Sequence, residues 1–235
     1  MNPSNDFRVP PLAWLAAACA LLAIGSAPWG LGQPWLNFVF KPAATLAIIG
    51  WAWTRGTGTP AQRRWVLAGL LLSLVGDIAL LWPQQGFLPG LVGFLLAHLA
   101  YLVAFTRERR LADWWPAFVL YAVVAGAVLA LLWPGVPAAL RLPVAVYVVA
   151  LASMAAQALV LWRRAEPATA GSQRARWLAV GGALFLLSDA LLATNKFAAP
   201  LPLASLWILA SYWSAQWCIA SWLAPPAHMP LNRPV

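Results

Sequence analysis

Residues 142–162 read LPVAVYVVALASMAAQALVLW, and this stretch decides the fold because it holds no charged side chain and lies between Arg141 and Arg163. A helix needs about 20 mostly apolar residues to cross the hydrocarbon core of a bilayer. The run is continuously apolar, whereas a strand of a membrane β-barrel would alternate in polarity. The stretch therefore predicts a transmembrane α-helix.

Seven further runs of this kind accompany it, and the connections between them are short. The predicted spans are residues 11–27, 34–54, 64–82, 87–106, 114–133, 142–162, 175–194 and 203–223. No connection is long enough to form a separate soluble domain, so residues 1–235 are expected to be a single membrane domain. The expected fold is an all-α integral membrane bundle of eight transmembrane helices.

The composition of the whole chain favours the same interpretation. Hydrophobic residues make up 63% of the 235 residues, charged residues make up 9%, and the mean hydropathy is +0.75. About a quarter of the residues of a soluble domain are charged. The composition therefore excludes an ordinary soluble enzyme, a disordered protein and a nucleic-acid binder, despite a net charge of +9. Cys19 and Cys218 lie in apolar runs and predict neither a disulfide framework nor a metal motif.

The basic residues predict the orientation of the bundle. With eight spans, only Arg141 and Lys196 fall on the side opposite the termini. The basic residues on the side of the termini are Arg8, Arg55, Arg63, Arg64, Arg107, Arg109, Arg110, Arg163, Arg164, Arg174, Arg176 and Arg233. This bias predicts that both termini are cytoplasmic, in a cell membrane that we expect to be a bacterial inner membrane. Alternatively, the first span is a cleaved signal peptide, because Gly25-Ser26-Ala27 is typical of a cleavage site.

Four ionisable side chains, Lys41, Asp77, His98 and Asp189, interrupt the predicted spans. At about 1.5 Å per residue, the aspartates lie roughly 8 Å, the lysine about 10 Å and the histidine about 16 Å below the outer ends of their helices. Ionisable groups inside a bilayer are costly, and they are usually paired or functional. Their shared layer on four helices predicts a hydrated site within the bundle.

Structural roles for these groups stay open at this point. Asp77 and Asp189 are each within reach of a lysine, so one alternative is a pair of buried ion pairs with Lys41 and Lys196. Lys41 can also extend to the outer interface. His98 can equally be an interior residue that is satisfied by a hydrogen bond.

Two of the spans share a short sequence pattern. Residues 74–81 read LVGDIALL and residues 186–193 read LLSDALLA, four spans further along the chain. This similarity suggests parallel repeats of four helices with a site between the halves. It also places Asp77 and Asp189 at equal depth.

Short motifs in a fixed order extend over most of the chain. They are Lys41-Pro42, Gly76-Asp77, Gly93-Phe94 with His98 and Tyr101, Ser188-Asp189 with Asn195-Lys196-Phe197, and Tyr212 with Gln216. With these motifs the chain resembles the YhhN family of multi-span lysoplasmalogenases from about residue 35 to residue 220. The resemblance implies hydrolysis of the vinyl ether bond of 1-alkenyl-lysophospholipids to a fatty aldehyde and a glycerophospho-alcohol. It implies no cofactor and no metal, and the expected partners are the lysophospholipid and the lipid bilayer.

Acid-catalysed hydrolysis of a vinyl ether needs a proton donor and an anion that stabilises the oxocarbenium ion. Two carboxyls in a poorly solvated layer suit these roles, so Asp77 and Asp189 are the predicted catalytic pair, with His98 orienting water. Which aspartate is the acid stays open. The predicted substrate-binding residues are Lys41, Tyr101, Ser188, Asn195, Lys196, Tyr212 and Gln216. Of these, Lys41 or Lys196 is expected to hold the lipid phosphate.

Two other functions remain compatible with these residues. One is a metal-dependent lipid hydrolase in which His98, Asp77 and Asp189 bind the metal, although zinc sites usually contain more His or Cys ligands. The other is a proton-coupled transporter that uses the two aspartates as proton sites. Paired helix breaks in matching positions would favour transport, and no such pair is evident in the sequence.

Overall fold

The computed structural model describes residues 10–55, 59–82 and 84–225. In these ranges the chain forms eight α-helices, one short 3-10 helix and no strand. The α-helices are α1 (Pro11–Gly25), α2 (Pro34–Thr54), α3 (Pro60–Ala79), α4 (Phe87–Thr106), α5 (Trp115–Leu132), α6 (Ala138–Arg163), α7 (Ala170–Phe197) and α8 (Ala204–Trp222), and the 3-10 helix is Trp133–Gly135. The all-α fold predicted from the sequence is confirmed.

Three helices begin before their predicted spans. α3 begins at Pro60 instead of Arg64, α6 begins at Ala138 instead of Leu142, and α7 covers 170–197 instead of 175–194. The earlier start of α7 has a local cause, because the Thr169 side chain accepts a hydrogen bond from the Ser172 amide at 3.0 Å and caps the helix. At its other end α7 includes Lys196, which the sequence had placed beyond the span.

Among the described residues, five helices are long and apolar enough to cross a membrane: α2, α4, α5 with the 3-10 helix that follows it, α6 and α7. The helix α1 has only 15 residues, and α3 begins with polar residues that include Arg63 and Arg64. These spans identify a multi-pass membrane protein. The crossing of all eight helices and the cytoplasmic termini stay predictions, and Arg8 and Arg233 lie outside the described residues.

The helices pack in a ring that brings the two ends of the chain together. α1 contacts α2 and α8, α2 contacts α3 and α8, α3 contacts α4, α4 contacts α6, and α6 and α8 both contact α7. α5 lies outside this ring against α6 and α7. In the suggested repeat, α1 to α4 match α5 to α8, so α4 is equivalent to α8 and α2 is equivalent to α6. The contact between α4 and α6 is therefore equivalent to the contact between α8 and α2. α1 thus packs into the ring, and its place in the mature bundle stays a prediction.

The crossing of α3 and α4 fixes the position of Asp77. A Cβ atom at Gly93 would lie 3.0 Å from the backbone nitrogen of Gly76, and one at Gly76 would lie 2.6 Å from the Phe94 ring. The two backbones therefore approach more closely than any larger residue allows. Asp77, the next residue along α3, is held at this crossing with its side chain buried.

At the arginine-rich end of the bundle, Arg55 has a structural role. The Arg55 guanidinium donates hydrogen bonds to the carbonyls of Leu223 at 2.9 Å and Ser221 at 3.3 Å. These carbonyls lie at the end of α8, where backbone acceptors have no helical donor. The same guanidinium lies 4.6 Å from the centroid of the Trp51 ring. Arg55 thus joins the ends of α2 and α8.

Candidate functional site

Asp77 lies at the centre of a buried polar cluster formed by α2, α3 and α8. Its Oδ2 accepts hydrogen bonds from the hydroxyls of Thr45 at 2.6 Å and Tyr212 at 2.7 Å. Its Oδ1 lies 3.7 Å from the Nζ of Lys41, whose side chain is also buried. The ion pair with Lys41, which the sequence left as an alternative, is therefore present. Two hydroxyl donors and a cation together offset part of the cost of burying the Asp77 carboxylate.

A second layer of hydrogen bonds orients the groups that contact Asp77. The Trp213 indole donates to the hydroxyl of Thr45 at 3.1 Å, and the Gln216 amide donates to the hydroxyl of Tyr212 at 3.1 Å. The Tyr101 hydroxyl in turn donates to the Gln216 carbonyl oxygen at 2.7 Å. These bonds extend the network from α3 through α8 to α4. Tyr101 and Gln216 thus reach Asp77 only through Tyr212.

Asp189 lies in different surroundings from Asp77. It is half-buried on α7, and its Oδ2 accepts a hydrogen bond from the hydroxyl of Tyr147 on α6. Within the described ranges no cation pairs with it, so the alternative ion pair with Lys196 does not form. Its other neighbours on the cavity wall are almost all apolar. A carboxyl in such surroundings is stabilised as the neutral acid.

His98 is fully buried beside Tyr147 and lines neither of the two cavities described below. The centroid of its ring lies 4.6 Å from that of Phe185 and 5.2 Å from that of Tyr147. Neither of its ring nitrogens has a hydrogen-bond partner among the described residues. No contact of His98 with a cavity or with a catalytic group in the described part of the chain therefore supports its predicted role in orienting water. The contact that the structure shows is its packing against Tyr147.

The predicted binding residues on α7 lie at one end of the bundle. The Ser188 hydroxyl donates to the carbonyl of Ile208 at 3.0 Å, which joins α7 to α8. The Asn195 side-chain oxygen accepts from the amide of Leu201 at 2.8 Å and fixes the connection to α8. The exposed Lys196 places its Nζ 4.3 Å from the centroid of the Phe87 ring. Of these three polar groups, the lysine ammonium is the one free to meet a ligand.

A polar cavity of ≈ 640 Å³ opens at the end of the bundle opposite the arginine-rich loops. It collects most of the predicted site residues. The polar side chains on its wall are Lys41, Asp77, Ser188, Asn195, Lys196, Ser205 and Tyr212. Of the four ionisable groups that were predicted to share one layer, Lys41 and Asp77 line this cavity, whereas Asp189 and His98 do not.

An apolar cavity of ≈ 470 Å³ adjoins the polar one. The polar groups on its wall are Asp189 and the hydroxyls of Tyr121 and Tyr147, and the rest of the wall consists mainly of aliphatic and aromatic side chains of α4, α5, α6 and α7. Leu80, Phe87 and Leu192 line both cavities and form the wall between them. The two aspartates therefore face different cavities, one polar and one apolar, on either side of a shared wall.

The two cavities are related by the suggested four-helix repeat. Each contains the aspartate of the third helix of one half, Asp77 on α3 or Asp189 on α7. Each of these aspartates accepts a hydrogen bond from the second helix of its own half, through Thr45 on α2 or Tyr147 on α6. This correspondence supports the repeat that the short sequence pattern suggested.

In the part of the chain that the structure describes, the side chains that could ligate a metal do not cluster. There, no group of three or more His, Cys, Asp or Glu side chains could hold a metal ion. His98, Asp77 and Asp189 are each held by different neighbours. The residues present therefore do not fit the metal-dependent alternative.

Thr45 and Tyr147 are two site residues that the sequence analysis missed. Thr45 follows Lys41 by one helical turn, so its position on the same face was available as a signal. Tyr147 is one of only four tyrosines in the chain, but it lies in the most apolar run and has no motif around it. Trp213 contacts the site through Thr45, and nothing in the sequence assigns its indole donor a partner.

The helices and the two cavities define a multi-pass membrane protein with an internal site that combines a cationic and an apolar compartment. The chain belongs to the YhhN family, whose sequence model matches residues 36–223. This confirms the resemblance found in the sequence motifs.

The similar proteins include enzymes with a named activity. The lysoplasmalogenase TMEM86B of Sus scrofa is 37% identical over 189 residues, which cover 78% of this chain and 74% of the relative. TMEM86B of Homo sapiens, also named a lysoplasmalogenase, is 34% identical over 77% of this chain and 73% of its own length. The membrane protein YhhN of Shigella flexneri is 34% identical over 43% of this chain and 49% of its own length. No solved structure is significantly similar to the chain.

Proposed function

We propose that this protein is a membrane lysoplasmalogenase, which hydrolyses the vinyl ether bond of 1-alkenyl-lysophospholipids. The single observation that carries the proposal is the pair of adjoining cavities, one with two lysines and one almost wholly apolar, with an aspartate on each. A lysophospholipid has the same two parts, an anionic headgroup and a hydrocarbon chain. The names of the relatives with 37% and 34% identity support the same activity.

The cavities suggest how the substrate lies in the site. The headgroup phosphate is placed in the polar cavity beside Lys196, with Lys41 deeper on the same wall. The alkenyl chain is placed in the apolar cavity. The vinyl ether bond connects these two parts of the lipid, so it lies near the shared wall at Leu80, Phe87 and Leu192, between the two aspartates.

The contacts of the two aspartates suggest different roles in acid catalysis. Asp189 accepts a single hydrogen bond on an apolar wall, and we assign it the proton that the reaction needs. Asp77 accepts two hydrogen bonds and pairs with Lys41, and we assign it the carboxylate that stabilises positive charge. Two carboxyls with such different partners, one paired with a lysine and one on an apolar wall, form a suitable stabiliser and acid pair.

The reaction then proceeds in balanced steps. Asp189 transfers its proton to the alkene carbon that is not bonded to oxygen, and the remaining carbon becomes part of an oxocarbenium ion. A water molecule adds to this carbon, and its lost proton returns to an aspartate carboxylate. The hydroxyl of the resulting hemiacetal gives its proton to an aspartate carboxylate and becomes the aldehyde carbonyl, while an aspartate acid protonates the glycerol oxygen, whose bond to carbon breaks and which leaves as the glycerophospho-alcohol. One water is consumed, and the other product is a fatty aldehyde.

The remaining polar residues position the catalytic groups. Tyr212 and Thr45 hold the Asp77 carboxylate, and Gln216 and Tyr101 hold Tyr212. On the other side, Tyr147 holds Asp189. We further propose that all eight helices cross a bacterial inner membrane as one domain, with both termini cytoplasmic, so that the polar cavity opens on the outer side.

The test is release of fatty aldehyde from 1-alkenyl-lysophosphoethanolamine by purified protein in detergent, with and without a chelator. Asp189→Asn keeps the side-chain volume but removes the acid, and a lost general acid lowers the rate by about 100-fold or more. Asp113→Asn is the matched control, because Asp113 pairs with Arg164 at the other end of the bundle. Wild-type rates in folded Asp189→Asn would refute the mechanism, and absence of aldehyde from folded wild-type protein would refute the function.

A further inference from the structure

The apolar cavity separates α5 from α4 along much of the length of the two helices. Phe87, Leu91 and Phe94 of α4 form one side of it, and one face of α5 from Leu120 to Leu132 forms the other. α5 is held from behind, by packing against α6 and α7. The gap between α4 and α5 is therefore an opening in the wall of the bundle and not a closed helix interface.

The cavity is elongated along the helix axes. Its wall on α5 runs from Leu120 to Leu132, which corresponds to about 18 Å of helix, and its wall on α7 runs from Ala183 to Phe197, about 21 Å. One leaflet of a bilayer contributes about 15 Å of the hydrocarbon core, half of its total of about 30 Å. The cavity thus has the length of one lipid chain in one leaflet.

The side chains at the mouth of the cavity are open to the surroundings. Leu120 is 53% exposed and Val124 is 41% exposed, whereas Tyr121, Ala125 and Leu132 of the same face are buried. In a membrane protein an apolar opening of this kind meets the lipid phase. A lipid chain can therefore pass sideways between α4 and α5 without meeting water or an unsatisfied backbone group.

The chemistry of the walls identifies the occupant. The wall of this cavity is apolar except at Asp189 and at the hydroxyls of Tyr121 and Tyr147, and beyond the shared wall lies the polar cavity with two lysines. An amphiphile with one hydrocarbon chain and an anionic headgroup satisfies both compartments at once. An apolar peptide helix would need a width of about 10 Å, and it would leave the lysines of the adjoining cavity without a partner.

We propose that the gap between α4 and α5 is a lateral portal through which the hydrocarbon chain of a lysophospholipid enters from the outer leaflet and reaches Asp189. The inference rests on the proposed function for the identity of the bond that is cleaved. Binding of the chain does not depend on cleavage, so the two can fail separately.

The probe is a 1-alkyl-lysophosphoethanolamine with a photoreactive diazirine in its chain, which cannot be hydrolysed because it has no vinyl ether. It is added to the full-length protein in lipid nanodiscs, and the labelled residues are mapped by mass spectrometry. We expect labelling on the cavity-lining residues of α4 and α5. Leu129→Trp fills the cavity and should lower this labelling by at least about fourfold, the equivalent of one methylene excluded from apolar contact.

Leu131→Trp is the matched control, because Leu131 is 80% exposed and lies outside the cavity wall. If Leu129→Trp does not fold, Val124→Trp at the more open mouth replaces it, with Val123→Trp, 65% exposed, as its control. Labelling spread over the lipid-facing sides of the other helices, or equal labelling in a cavity variant and its control, would overturn the portal.

The outcomes of the two experiments are separable. Cavity labelling without aldehyde release from the vinyl ether substrate would support the portal and refute the proposed function. Aldehyde release without cavity labelling would support the function and refute the portal.

Discussion

The hydroxyl of Tyr212 donates a hydrogen bond to Asp77 Oδ2 at 2.7 Å and connects two helices that are 135 residues apart in the sequence. The same hydroxyl accepts from Gln216, so its proton is directed towards the carboxylate. This bond joins α8 to α3 at the level of the polar cavity. Both the folding of the bundle and the position of the candidate carboxylate depend on it.

Tyr212→Phe removes this bond, so Asp77 keeps only Thr45 and Lys41, and the side-chain NH2 of Gln216 loses its acceptor. Because unsatisfied buried groups are costly, we expect the free energy of unfolding to fall by about 1–3 kcal/mol and aldehyde release to decrease. Thermal unfolding in detergent and the rate of aldehyde release measure the two effects. Thr106→Val is the control, because it removes a hydroxyl that donates only to the Val103 carbonyl within α4 and lines neither cavity. An equal effect of both substitutions would contradict the assigned role of Tyr212.

Lys196→Met tests the proposed phosphate contact. The ammonium is exposed at the mouth of the polar cavity and lies over Phe87, so its loss should leave the melting temperature unchanged. A lost charge-assisted hydrogen bond should raise KM by about tenfold with little change in kcat. Steady-state kinetics at several lysophospholipid concentrations give both constants. Arg141→Met removes another cation from the same end of the bundle, and a similar rise in KM there would point to a general effect of charge.

Gly93→Ala tests the close crossing of α3 and α4. The new methyl group would meet the Gly76 backbone at 3.0 Å, so the helices must separate and Asp77 must shift. We expect a lower melting temperature and a loss of activity that exceeds the loss of folded protein. Gly126→Ala on α5 is the control, because nothing lies within 4 Å of its added methyl group. Alanine is a better helix former than glycine by about 1 kcal/mol, so this variant should be at least as stable as the wild type.

The orientation of the bundle can be tested with single cysteines in a protein whose Cys19 and Cys218 are replaced by serine. Gln85→Cys lies between α3 and α4, and Glu166→Cys lies between α6 and α7 at the opposite end. A membrane-impermeant maleimide should label Gln85→Cys on intact cells and Glu166→Cys only after permeabilisation. The reverse pattern would show that the arginine-rich loops face outwards, contrary to the positive-inside rule.

The polar residues of the site were predictable where they interrupt an apolar run. Asp77, Asp189 and Lys41 stand out because charged groups are rarely found in a membrane-spanning helix without a reason. The position along each helix gave their depth, which is why a shared layer was expected. The rotation of each helix about its own axis, which decides the cavity that a side chain faces, depends on tertiary packing. The separation of Asp77 and Asp189 by a wall was therefore outside the reach of the sequence.

The neighbours of the aspartates were less visible than the aspartates themselves. Thr45 and Tyr147 are ordinary in apolar helices, and nothing in the sequence marks them as hydrogen-bond donors to a carboxyl. The sequence analysis also missed the extended ends of α6 and α7. A hydropathy pattern marks only the part of a helix that lies in the bilayer, and the helix can continue beyond that part. Lys196 lies in such an extension, which keeps its ammonium at a fixed position above the mouth of the cavity.

The wall formed by Leu80, Phe87 and Leu192 has a consequence for the direction of the reaction. A bond broken at this wall leaves its two fragments in separate compartments from the moment of cleavage. In the proposed reaction, the aldehyde remains on the side that opens to the bilayer, whereas the phosphorylated alcohol remains on the side that opens towards the lysine-lined end. We therefore expect each product to have its own exit, so that neither needs to pass the other.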